Sequence, residues 1–166
     1  MNNLKAKDIT LGGILIALTI ITLYLNLIIP INTFAILTIS SCYVPIAIIK
    51  DNIKLGVLVY VASSIIGFLI IPLNIMIPFV LYFGIFGLVK FYIEKLKNLP
   101  LEIILKLAFS NLMLFLGYFL FTSFVGPINF KLPLWMLLIL LQFVFIIFDY
   151  ALTLIITSFI TRFNKI

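Results

Sequence analysis

Long apolar runs alternate with short polar punctuation along the chain. Six of the runs approach the roughly 20 residues that a helix needs to cross a bilayer. They cover residues 9–29, 34–49, 53–71, 75–93, 101–122 and 132–160. The breaks carry helix-stopping signals. "PINT" closes the first run, "KDNIK" separates the second from the third, and "PLN" turns between the third and fourth. "EKLKNLP" and "VGPINFKLP" mark the last two breaks. The second run is short and holds Thr38, Ser40, Ser41 and Pro45, whereas the sixth is long enough to tilt or to project beyond the bilayer. The predicted fold is all-α: one polytopic membrane domain over residues 1–166, with six transmembrane helices.

Composition agrees with that pattern. The chain is 65% apolar and 10% charged, with a mean hydropathy of +1.38. That leaves too little polar surface to cover a water-soluble globule of this size. The first run is longer than a signal-peptide core and ends without a small-residue cleavage pattern, so a retained helix is expected. The net charge of +6 raises the question of nucleic acid, and its distribution answers it. Six alternating spans put Lys5, Lys7, Lys50, Lys54, Lys90, Lys95, Lys97, Lys106, Arg162 and Lys165 on one side, and Lys131 alone on the other. The basic surplus then reads as a topology determinant, with both termini cytoplasmic. The heavy use of Ile, Leu, Lys and Asn fits an AT-rich bacterial genome, and the expected location is a bacterial cell membrane.

Several chemistries are missing from the sequence. With no histidine and a single cysteine, Cys42, neither a His/Cys metal site nor a disulfide framework is expected. No phosphate-binding glycine loop is present, and no histidine stands ready to activate a nucleophile. The expectation is a protein that is not an enzyme and carries no cofactor.

The sixth run poses the sharpest question, because Asp149 lies in its midst. A carboxylate at the centre of a membrane helix costs about 2.5–3.5 kcal/mol on insertion scales. Gln142, Asp149, Thr153 and Thr157 fall on one helical face, which should look into the bundle because lipid cannot satisfy polar groups. At 1.5 Å per residue Asp149 lies roughly 25 Å from the outer start of its helix, in the inner third of the membrane. Lys106 and Lys90 reach a similar level. An ionised Asp149 paired with Lys106, or secondly with Lys90, is the structural expectation. The alternative has both lysines snorkelling to the headgroups, Lys90 with Glu94 one turn on.

Elsewhere, Gly13 and Ala17 form a small-xxx-small pair on the first helix, which suits internal packing or the close approach of another helix. Tyr60, Ser64 and Gly67 share a face of the third helix that should meet the bundle or a cavity, and Gly84 and Gly87 permit close contact on the fourth. Asn111 and Gln142 lie near mid-membrane, and Asn32, Thr33, Asn74, Tyr82, Tyr118, Thr122 and Trp135 lie nearer the outer face. These groups would suit a pocket for a small organic ligand entering past Asn32 and residues 126–131. Trp135 and the tyrosines would equally suit an interfacial belt. The outer half holds no acid, so a neutral or anionic ligand is expected, with Lys131 the one fixed charge there.

Taken together, the size, the six helices and the basic start leading into "ITLGGILIALTIITLYL" resemble the substrate-binding S components of energy-coupling factor (ECF) vitamin transporters. The run "VPIAIIKDNIKLGVLVYVASSIIGFLI" follows that family's helix, basic turn, helix manner. "PFVLYFGIFGLVKFYIEKL" and "LEIILKLAFSNLMLFLGYFL" look like clostridial-type members without an assigned ligand. The resemblance implies capture of a vitamin-like nutrient outside, and docking on a membrane coupling protein that carries two cytoplasmic ATPases. It assigns Gly13 and Ala17 to the docking motif, although the family more often has alanine at both places. The competing expectations are a non-transport membrane scaffold, similar to rod-shape-determining membrane proteins, and a proton-linked carrier built on Asp149.

Overall fold

A computed structural model describes residues 6–29, 32–124 and 134–163. Within them the chain is helical, without strands, and forms six helices long and apolar enough to cross a membrane. These are α1 (Ala6–Ile28), α2 (Thr33–Lys50), α3 (Ile53–Ile70), α4 (Leu73–Glu94), α5 (Leu99–Phe124) and α6 (Leu134–Phe163). The protein is therefore an all-α, multi-pass membrane protein, and the helix limits lie within a few residues of those the apolar runs predict.

The turns follow from local chemistry. Between α2 and α3 the Asn52 side chain accepts from the backbone N–H of Lys54 (2.9 Å) and Leu55 (3.2 Å), so it stops one helix and caps the next. Between α4 and α5, Lys97 takes a positive φ of 52°, the left-handed turn that ends a helix. Prolines interrupt two spans. Pro45 cannot donate to the carbonyl one turn back, and α2 breaks at Cys42 just before it. Ser40 Oγ bonds the carbonyl of Leu37, while Ser41 Oγ and Cys42 Sγ bond that of Thr38. Pro78 acts likewise in α4, where residues Phe79–Gly84 widen into a π-helical turn. Tyr60 on α3 donates its hydroxyl to the Val80 carbonyl in that turn (2.9 Å). The polar face expected on α3 is thus spent on stitching α3 to α4.

Burial is uneven. Half or more of the spanning windows of α2 (50%) and α4 (56%) is buried, against 11% in α5 and 17% in α6. The core consists chiefly of α1–α4, with Leu23, Leu37, Val44, Leu55, Val59, Met76, Phe79 and Phe86 at its centre. Small residues let these four helices close up. A Cβ on Gly87 would stand 2.7 Å from Pro45 Cδ, and one on Gly67 would stand 2.6 Å from Met76 Cε. The outer pair reaches the core through rings: Phe86 of α4 lies 5.9 Å from Phe109 of α5 and 5.3 Å from both Phe145 and Phe148 of α6.

These contacts predict opposite outcomes for two glycines. Gly87→Ala should destabilise the protein by about 1–3 kcal/mol, because a rigid proline ring cannot yield to the new methyl. Gly117→Ala, with nothing within 4 Å of its Cβ position, should be neutral or slightly stabilising. Thermal unfolding of both variants in detergent checks the contrast.

Candidate functional site

Lys90 is 2% exposed although it carries a charge, and its surroundings explain how. It lies on α4 in the last two turns before the α4–α5 turn, and two helices, α6 and α4 itself, bring acceptors to its ammonium group. From α6, Asp149 Oδ1 accepts from Nζ, as do Thr153 Oγ1 (2.8 Å) and the Asp149 carbonyl (3.3 Å). Thr153 donates its own hydroxyl proton to that carbonyl (2.8 Å), which turns its lone pairs towards the lysine. From α4 itself, Glu94 Oε1 lies 3.0 Å away, one helical turn on. Lys106 of α5 completes the arrangement, 3.0 Å from Asp149 Oδ2 and 2.9 Å from the same Glu94 oxygen.

The four charges form a closed ring in which each cation touches both anions, and the formal charge sums to zero. A contact at 3 Å carries roughly 5 kcal/mol of attraction at an effective dielectric of about 20. Desolvation takes back much of that, so the ring's chief energetic property is the cost of breaking it. Both candidate lysines engage Asp149. Lys90, the second choice on depth, is the more deeply buried, so neither lysine simply snorkels out. Glu94 joins as a bridge, although its i,i+4 spacing from Lys90 suggested a surface pair. Its 41% exposure puts it at the rim.

The outer polar residues behave differently. Asn111 Nδ2 donates to the Leu107 carbonyl (3.0 Å), so its Oδ1 faces α6 and accepts from Gln142 Nε2. The Gln142 Oε1 atom is left buried without a hydrogen-bond partner. Tyr82 is hydrogen-bonded to Ser110 of α5 (2.8 Å) and packs on Phe83, Phe145 and Phe148. Thr33 donates to Asn26 Oδ1 (3.1 Å) on α1. Asn32, Asn74 and Tyr118 are exposed. Trp135 stands in the first turn of α6 with its side chain outside the described residues, where residues 126–131 also fall. Asn26 is the residue the sequence reading missed: it is 2% exposed, and its Nδ2 has no partner. Its place three residues after Leu23 in an apolar run gave no hint of that.

Gly13 and Ala17 lie on the outside of α1. Nothing stands within 4 Å of a Cβ built on Gly13, whereas one on neighbouring Gly12 would meet Leu55 Cδ1 at 3.0 Å. Internal packing therefore uses Gly12 and leaves the Gly13/Ala17 face open. Among the described residues no cluster of three or more His, Cys, Asp or Glu side chains is placed to hold a metal ion. No family model, curated protein or solved structure matches the chain.

The ring predicts a specific pattern of coupling. Asp149→Asn should cost about 3–5 kcal/mol, because it leaves two buried cations sharing the one carboxylate of Glu94. Lys90→Met and Lys106→Met should each recover part of that loss when combined with it. Double-mutant cycles read by thermal stability in detergent measure the coupling, and additivity at both lysines would rule out the ring.

Proposed function

We propose that the protein is the membrane-embedded substrate-capture subunit of an ATP-driven importer of the ECF type. It binds a small neutral or anionic, vitamin-like nutrient from outside and docks on a coupling membrane protein with two cytoplasmic ATPases. The observation that carries this reading is the open face of α1. A glycine in a membrane helix favours close approach of a neighbour, and inside the bundle Gly12, Gly67 and Gly87 all have one. Gly13, like Gly117 of α5, does not, and in this reading its missing side chain makes room for a helix of the coupling protein.

The orientation follows from charge. Lys50, Lys54, Lys95 and Lys97 are exposed at one end of the bundle, and the positive-inside rule puts that end, with both termini, in the cytoplasm. The ring then lies in the cytoplasmic half, away from a ligand captured outside, which fits a structural role for Asp149 better than a proton-carrying one. The residues proposed to meet the ligand are Asn32, Thr33, Asn74, Tyr82, Asn111, Tyr118, Trp135 and Gln142, and the buried Asn26, whose Nδ2 has no partner, joins them. Energy would come from the partner ATPases, as the missing phosphate-binding loop requires. One observation favours a second reading: Asn32, Asn74 and Tyr118 are exposed rather than enclosed in a pocket. A non-transport scaffold, similar to rod-shape-determining membrane proteins, would need no convergence, and the same α1 face would seat its partner.

The test is assembly. The tagged chain is co-expressed with an ECF coupling protein and its two ATPases from the same genome. Gly13→Leu or Ala17→Leu should lower the co-purified coupling protein about ten-fold or more, with thermal stability unchanged. Full recovery of the complex by both variants would remove the docking role of α1.

A further inference from the structure

Thr19, Thr22 and Asn26 follow one another at helical spacing on the face of α1 that packs into the core, and all three are buried. The two threonines are satisfied there. Thr19 donates its hydroxyl to the Leu15 carbonyl (2.7 Å), and Thr22 shares a hydrogen bond with the Tyr43 hydroxyl of α2 (3.1 Å). Asn26 is not. It is 2% exposed, its Oδ1 accepts from the Thr33 hydroxyl (3.1 Å), and its Nδ2 has no acceptor. A primary amide carries two N–H donors, and leaving them buried and unused is costly.

A second set of donors stands beside this amide. Thr33 is the first residue of α2, so its bond to Oδ1 fixes the Asn26 side chain at the opening turn of that helix. Asn32 occupies the capping position, yet its side chain makes no capping bond. The N–H groups that open a helix have no partner within it and favour negative charge. The protein supplies none nearby. Its five acids are Asp8, Asp51, Glu94, Glu102 and Asp149. Asp8, Asp51, Glu94 and Glu102 lie at the opposite ends of their helices, and Asp149 is bonded into the ring at that same level. Donors from two helices therefore lie together at the acid-free end of the bundle.

We propose that this corner between α1 and α2 is the anchoring subsite for a carboxylate of the captured nutrient. One carboxylate oxygen accepts from Asn26 Nδ2, and the other from the N–H groups that open α2. The proposal rests on the capture function proposed above and narrows its ligand from neutral or anionic to anionic. Because Nδ2 is buried, the carboxylate reaches it by parting the first turn of α2 from α1 at the Asn26–Thr33 bond. That exchange gives up one neutral hydrogen bond for charge-assisted ones, which are roughly twice as strong. A lipid phosphodiester offers similar oxygens but carries a substituent on either side. It fits a corner enclosed by two helices worse than a terminal carboxylate does.

The experiment uses the full-length chain in maltoside detergent, with its asparagine side-chain amides isotopically labelled and read by NMR. The Asn26 signal is the one missing from Asn26→Leu. Benzoate is the probe, and benzamide, which has the same shape without the charge, is the control at matched ionic strength. Benzoate should move the Asn26 signal downfield and saturate, while the signals of Asn52 and Asn98 at the opposite end stay in place. Benzamide should bind about ten-fold more weakly. Read through the Asn32 signal, Asn26→Leu should weaken benzoate about ten-fold, and Asn26→Asp, which sets a like charge at the site, should abolish its binding. No shift in the native protein, an equal response to benzamide, or unchanged benzoate affinity in Asn26→Leu would overturn the proposal. A response to short-chain phosphatidylglycerol in place of benzoate would overturn it in favour of a lipid headgroup. The measurement needs no coupling protein, so its failure would leave the assembly test of α1 standing, and a failure of assembly would leave this subsite untouched.

Discussion

The ammonium group of Lys90 has almost no contact with solvent, and a cation in that position is tolerated only while Asp149, Thr153 and Glu94 surround it. This requirement fixes more than one side chain. Asp149 must stay on the face of α6 that meets α4, so α6 cannot rotate by one residue, about 100°, without stranding a charge in the membrane. Lys106 must stay level with both acids, which sets the height of α5. The ring thus specifies the register of the two helices that bury the least apolar surface.

The need for such a device follows from the solvent. Lipid tails are as apolar as leucine, so burying an apolar face gains little in a bilayer, and helices associate through close packing and polar bonds. The molecule divides these means between its parts. In α1–α4 close packing dominates: Gly87 against Pro45, Gly67 against Met76, and Tyr60 on the carbonyl of the π-turn. At α5 and α6 the rings around Phe86 and the four charges do the joining. The division leaves the far side of α1 free of internal duty, and Gly13 lies there.

The architecture was legible because membrane helices write themselves as long apolar runs broken by Asn, Pro and charge. Even the weak second span appears where Thr33–Lys50 forms, and its break at Cys42 answers to Pro45. Depth counting brought Lys90, Lys106 and Asp149 to one level. It put Lys106 ahead of Lys90, whereas both engage and Lys90 is the more buried, because rotation about the helix axis, and not height, decides which side chain is buried. Glu94 escaped for the same reason. The π-turn after Pro78 shifts the facing of everything beyond it in α4, and that shift has no linear signature. The residues proposed to meet a ligand were the least legible. Asn26 stands in an apolar run, and the group that engages its Oδ1, the hydroxyl of Thr33, comes from the next helix.

Amide hydrogen exchange of the native protein and of Lys90→Met, both in lipid nanodiscs, tests the central claim most directly. If the ring fastens the outer helices to the core, the substitution should raise exchange in the inner half of α6 and the first turns of α5. Protection in α1, α3 and the first half of α2 should stay unchanged. Unchanged protection in α6, or a uniform loss across all six helices, would contradict the account.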